Sequence, residues 1–224
     1  MSSNQANCDR LQRCLLAVFV MLLLIFVLGT ACAPPSPPPV PPTPTPAPPG
    51  PPLAPPAPPP ELPAPTTKWS ADGVIATGEY TGVKSYGDYE INWAGDATYI
   101  YIGLKAKTTG WVALGIQPAS TMKDADIVLG FVKDGKTTVF DQFSTGSYGP
   151  HSLDTELGGT NDILEFGGKE VGGYITIEFK RALDTGDKYD QPLLKGVNKI
   201  IWAYSSDYQS TIKHVNRGYG ELDL

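Results

Sequence analysis

Twenty of the 23 prolines fall in one stretch, Pro34 to Pro65. Proline fixes φ and removes the backbone donor, so this stretch can join neither a helix nor a sheet. It is expected to run as extended polyproline II at about 3.1 Å per residue, a reach on the order of 100 Å if straight. That suits a stalk lifting a domain off a membrane. A ligand for proline-recognising modules is the other reading, but those partners are mostly cytosolic. The tract divides the chain into a leader (1–32), a linker (33–67) and a domain (68–224) long enough for a core of its own.

The leader reads as an export signal. Arg10 and Arg13 precede an uncharged run, Leu15–Leu28, and the small residues Gly29, Thr30 and Ala31 lead to Cys32. The run is 14 residues, short of the roughly 20 that a spanning helix needs. A Cys directly after small residues resembles a bacterial lipobox, with Cys32 the lipidated residue, although Gly29 stands where Leu is usual. An uncleaved anchor helix is the alternative. Either places the domain at the outer face of the cytoplasmic membrane, tethered to it. There is no twin-Arg pair.

From Thr66 onward 15 Lys and Arg stand against 21 Asp and Glu. A binder of phosphate backbones should be basic, so nucleic acid is disfavoured. All three cysteines (Cys8, Cys14 and Cys32) lie upstream. The domain therefore has no disulfide, zinc–thiolate site, iron–sulfur cluster or thiol nucleophile.

Alternating and short apolar runs predict strands at Tyr99–Leu104, Trp111–Ile116, Ile127–Val132, Thr137–Phe143, Tyr174–Phe179 and Ile200–Tyr204, with weaker candidates at Tyr89–Trp93 and Gly218–Leu224. Turn signals separate them, among them Lys133-Asp134-Gly135-Lys136, Gly158-Gly159, Gly167-Gly168 and Gly172-Gly173. No window shows sustained helical periodicity. Many short strands at near-regular spacing predict an antiparallel β-sandwich of immunoglobulin-like layering. Its outer faces are expected to be solvated, and Trp69, Trp93, Trp111 and Trp202 to serve the core. As exposed platforms the tryptophans could instead stack on sugars.

Little catalytic chemistry is on offer. There is no haem-attachment Cys pair, no Gly-rich phosphate loop and no nucleophile elbow. Asp124 and Asp126, and Asp184, Asp187 and Asp190, could bind calcium, but their spacing is not that of an EF-hand, and they read as turn builders. The rare ligand types stand out. Met122 is the one methionine of the domain, in a polar loop between two strands; His214 lies just before the last strand; His151 sits in a Gly-Pro-His turn. A thioether and an imidazole can ligate a haem iron from opposite faces, although such residues are more often plain surface.

Five blocks together resemble a DOMON domain: Trp111-Val-Ala-Leu-Gly-Ile116, Met122-Lys-Asp-Ala-Asp-Ile-Val-Leu-Gly130, Asp154 to Leu164, Glu178 to Asp187, and Ile201-Trp-Ala-Tyr204 followed by His214-Val-Asn-Arg217-Gly218. The resemblance implies a β-sandwich that holds haem b or a sugar in a pocket at one end of the sheets. In haem-binding members the axial ligands stand where Met122 and His214 stand here, and Arg217 matches the family arginine, paired with a haem propionate or a nearby carboxylate. His151 is the rival ligand should Met122 not serve. The resulting expectation is a membrane-tethered b-type cytochrome domain that carries one electron through a non-covalent haem b. It would be no enzyme by itself, and its redox partner would be a separate protein. The alternative is an extracellular carbohydrate-binding module without haem.

Overall fold

The computed structural model describes residues 67–224; the leader, Cys32 and nearly all of the proline linker lie outside the described residues. Eleven strands follow one another: β1 Gly82–Tyr86, β2 Tyr89–Gly95, β3 Tyr99–Ala106, β4 Val112–Ile116, β5 Asp126–Lys133, β6 Lys136–Phe143, β7 Ser152–Leu153, β8 Glu165–Val171, β9 Tyr174–Ala182, β10 Val197–Tyr204 and β11 Asn216–Asp223. A single helical turn, α1 (Asp154–Leu157), follows β7. They form a five-stranded sheet in the order β1-β2-β3-β9-β8 and a six-stranded sheet in the order β11-β10-β4-β5-β6-β7. All pairings are antiparallel. The expected sandwich is the fold.

Each expected strand is present. The Asp134-Gly135 hairpin forms as its sequence requires, with φ of 51° and 73° at the two central residues. The Gly172-Gly173 turn is of the same kind. The Gly167-Gly168 pair is a correction. Expected as a turn, it lies inside β8. A Cβ at Gly167 would sit 1.9 Å from the Ala71 carbonyl oxygen, so Gly167 admits a crossing chain rather than a reversal, while Gly168 faces Ile177 and Thr137 on the other side of the sheet. That chain is the 67–80 segment. It lies on the five-stranded sheet, anchored at buried Glu178, which accepts bonds from the amides of Asp72 (3.0 Å) and Gly73 (2.6 Å) and from the Tyr80 hydroxyl (2.6 Å).

Between the sheets lies one core. Ile100, Ile102 and Leu104 of β3 and Ile175, Ile177 and Phe179 of β9 meet Val112, Leu114 and Ile116 of β4, Val128 of β5, and Ile200, Trp202 and Tyr204 of β10. Trp202 fills the space left by Gly218, its direct partner on β11, and stacks between Tyr89 and Tyr86 at 5.0 and 5.4 Å. At one end the core gives way to charge. Arg181 of β9, fully buried, pairs with Asp126 at the start of β5.

The outer faces differ, and here the expectation of solvated faces fails for one sheet. Registers place Glu90, Lys105, Thr176 and Lys169 in one row across the five-stranded sheet. The matching row across the six-stranded sheet is Arg217, Ala203, Ala113, Leu129 and Phe140. Trp111, Ala113, Ala125, Ile127 and Leu129 form a second buried apolar cluster there. Strand β4 is buried at all five positions.

Candidate functional site

That second cluster is the floor of a cavity of about 560 Å³. Small residues keep the floor flat: Ala113 and Ala203 face each other across β4 and β10, and Gly115 faces Ile201. A Cβ at Gly115 would meet Ile201 Cγ1 at 2.5 Å. Three loops form the walls. The 117–125 loop supplies Thr121 and Met122, the loop before β7 supplies Tyr148 to His151, and the loop before β11 supplies Ser210 to His214. Arg217 and Tyr219, on the outer face of β11, line it too.

The structure thus brings Met122, His214, Arg217 and the rival His151 to one cavity. The cavity stands on the outer face of the six-stranded sheet, not at an end of the sandwich, because that face carries an apolar surface that no strand or helix covers among the described residues. Trp111 is a second correction. It is buried, but in the outer cluster, where it lines the cavity. Trp202 is core, as expected. Trp69 is buried against Tyr101 outside the core cluster, and Trp93 packs only partly against the core.

Local bonding explains how the walls are held. The Met122 loop is tightly wound: Ala125 N–H donates to the Met122 carbonyl, Lys123 N–H to Ser120, and Asp124 N–H to Ser144. Gln117, Thr121 and Asp124 all take positive φ without being glycine, a conformation that favours glycine and is held here by surrounding bonds. The His214 loop is tied to the floor by Trp111, whose indole N–H donates to the Ile212 carbonyl at 3.2 Å. Ser205 Oγ donates to the Lys213 carbonyl. The His151 carbonyl accepts from Gln142 Nε2 at 3.3 Å.

The electrostatics favour neutral imidazoles. Burial lowers the His214 pKa, helped by the Arg217 and Lys213 charges. Burial likewise lowers that of His151, with His214 adding to the effect. Buried His151 Nδ1 has no protein partner. Arg217 makes no side-chain hydrogen bond or ion pair among the described residues, so its guanidinium is available at the cavity wall.

The DOMON domain family matches residues 85–205. The chain belongs to that family. Met122 lies inside the matched span; His214 and Arg217 lie beyond it. Over 142 residues this DOMON domain is 30% identical to DBH-like monooxygenase protein 1 of Mus musculus, covering 62% of this chain and 22% of the relative. It is 30% identical over 128 residues to MOXD1 homolog 1 of Drosophila melanogaster, covering 54% and 18%. It spans about a fifth of the length of these relatives. Among solved structures it is similar to the cytochrome b domain of pyranose dehydrogenase from Coprinopsis cinerea (TM-score 0.46, 16% identity, 61% of this chain and 76% of that one). It is also similar to the cytochrome domain of Myriococcum thermophilum cellobiose dehydrogenase (0.46, 15%, 61% and 74%).

Two features escaped the sequence reading. Trp111-Val-Ala-Leu-Gly-Ile116 and Ile127-Val-Leu-Gly-Phe-Val132 are continuous apolar runs, the pattern of strands covered on both faces; they announced the apolar outer face. The other is the convergence of Asp126, Asp141, Asp154 and Asp190, far apart in sequence, for which no local motif exists.

Proposed function

We propose that this DOMON domain holds a non-covalent haem b in the outer-face cavity and carries one electron, tethered outside the cytoplasmic membrane through the leader or a lipid on Cys32. The observation that carries this reading is the meeting of Met122 and His214 in one apolar cavity. The cavity's volume lies within the range of small-molecule and cofactor sites, and its flat floor of Ala113, Gly115 and Ala203 suits a planar apolar group. When bound, haem supplies a one-electron redox centre, and thioether–imidazole ligation raises its reduction potential. The chain's own residues do the rest. His214 presents a neutral nitrogen, since burial and two nearby cations disfavour its protonation. Met122 would present a thioether from the 117–125 loop. Arg217 and Lys213 offer positive charge to an anionic edge. Two protein ligands would leave no position for substrate, so electron transfer rather than catalysis is the proposed role. The partner is a separate redox protein.

The test is an absorption spectrum of the full chain expressed with export and haem supply, oxidised and reduced. A sharp Soret band with narrow, split visible bands on reduction is the expected result. Met122→Ala should lower the potential and change the spectrum; His214→Ala should abolish haem retention. Retained low-spin spectra in Met122→Ala, lost only with His151→Ala, would move the second ligand to His151. A colourless protein that refuses added haemin overturns the proposal.

A further inference from the structure

The charged end of the sandwich core is built like a cation site. Asp126 and Asp141 stand on the inner faces of β5 and β6, Asp154 opens α1, and Asp190 comes from the loop after β9; their exposures are 0, 3, 1 and 8%. Among the described residues only one cation, Arg181, is buried with them. One carboxylate oxygen from each of Asp126, Asp141 and Asp190 lies within 4.8 Å of the others. A cage of three or more carboxylates suits calcium, which takes about six to eight oxygen ligands in flexible geometry, better than magnesium, which keeps several waters and is usually held by one or two carboxylates.

The hydrogen bonding leaves donors free. Asp126 spends Oδ2 on Arg181 and on the Gln191 N–H, while its Oδ1 has no protein partner. Asp141 spends Oδ2 on the Asp162 N–H at 2.7 Å, and its Oδ1 is likewise unpartnered. Both oxygens of Asp154 are buried without a partner; it lies outside the three-oxygen group, but near enough to Asp141, Asp190 and Asp126 for their charges to oppose its ionisation. Asp190 stays 3.8 Å from Arg181. Four buried carboxylates against one guanidinium leave a charge that the interior does not tolerate uncompensated. All-oxygen, all-carboxylate donors select a hard divalent ion.

We propose that Asp126, Asp141, Asp154 and Asp190 hold a divalent cation of the calcium class, and that it braces two loops walling the cavity. The connections are direct. Gln191 joins the cluster to the Met122 loop, its N–H on Asp126 and its Nε2 on the Asp124 carbonyl at 3.1 Å. Gln142, next to Asp141, holds the His151 carbonyl. Met122 and His151 thus hang from the same ion-binding frame.

The experiment uses the full chain, haem-free and stripped with EDTA, at pH 8. Calcium titrated by calorimetry should bind one equivalent and raise the melting temperature by several degrees, with magnesium at least tenfold weaker. Asp141→Asn and Asp154→Asn should each weaken calcium at least tenfold, and Asp184→Asn, in an exposed turn, should not. Amides of residues 119–125 and 148–153 should exchange at least threefold more slowly with calcium. Absence of binding heat and of a melting shift in the wild type overturns the site whether or not the variants fold. Unchanged affinity in Asp154→Asn also overturns it, and binding without slowed exchange overturns the bracing. Haem plays no part in the measurement, so either proposal can fail alone.

Discussion

The two sheets share a core but answer water differently. The five-stranded sheet carries the polar row Glu90, Lys105, Thr176 and Lys169 on its outer face, and its centre is crossed by the 67–80 segment, which lies over Gly103 and Gly167. The six-stranded sheet carries the apolar row Ala203, Ala113, Leu129 and Phe140, and no strand or helix covers it among the described residues. One sheet solves its outer face with its own chain. The other leaves a walled cavity, an apolar surface kept open of the kind that small-molecule sites use. The same architecture therefore yields a chain-covered face and a cavity-bearing one, separated by the choice of residue at alternate strand positions.

The largest effect is expected where the two sheets are joined by charge. Arg181→Met removes the only cation buried among the described residues, beside four buried aspartates, and should cost about 3–5 kcal/mol in urea unfolding without added metal. A loss under ~1 kcal/mol would mean that the aspartates are already neutral. A paired substitution then tests the contrast of faces. Ala113→Gln puts an amide in the cavity floor and should cost about 1–3 kcal/mol while blocking haem uptake. Lys105→Gln, in the equivalent central strand of the other sheet, should stay within about 0.5 kcal/mol. Equal effects would erase the distinction between the sheets.

How much of this was legible in the sequence differs by level. Strand positions and the Asp134-Gly135 hairpin were legible because period-two patterning and turn chemistry are local. Met122, His214 and Arg217 were legible through the blocks that resemble the DOMON family, and the structure brings all three to one cavity. Trp111 was misplaced because alternation identifies two faces without saying which is inward, and both faces of β4 are apolar. Gly167-Gly168 reads as a turn until the crossing chain is seen. Asp184 and Asp187 build turns as expected, accepting the Gly186 and Tyr189 amides. Asp126 and Asp190, from the same two motifs, converge instead with Asp141 and Asp154, a long-range outcome of strand register.

An intermediate effect is expected from pH. Burial pushes the pKa of Asp141 up to about 7, that of Asp154 to about 8 and that of Asp190 to about 6, each with further push from neighbouring aspartates. Asp162 and Asp187 add to the negative field, and Arg181 opposes it. The folded state then keeps protons that the unfolded state releases above about pH 4, so stability falls as pH rises toward 8. The histidines work the other way. With their pKa lowered, the unfolded state binds protons first, and stability is lost as pH falls below about 6.5. In EDTA, unfolding free energy should decline from pH 6.5 to 8.0. Calcium should flatten that decline, because bound carboxylates are already deprotonated. A decline of the same slope with and without calcium would mean that protons alone neutralise the cluster.

The smallest effect isolates one bond across the cavity-bearing face. Trp111→Phe keeps an aromatic ring in the floor but removes the donor to the Ile212 carbonyl. A neutral hydrogen bond of this kind is worth about 1 kcal/mol, so stability should drop by roughly that amount. The consequence for the cavity should be larger than the consequence for the fold, because the lost bond holds the loop that ends in His214. Haem should dissociate several-fold faster from Trp111→Phe, with the ligation spectrum broadened. Trp93→Phe also loses one indole bond, to the Asp223 carbonyl, but Trp93 does not line the cavity, so its haem dissociation should match the wild type. If both variants release haem at the same rate, the His214 loop is held instead by the Ser205 contacts, and the floor of the six-stranded sheet supplies apolar surface without positioning the ligand.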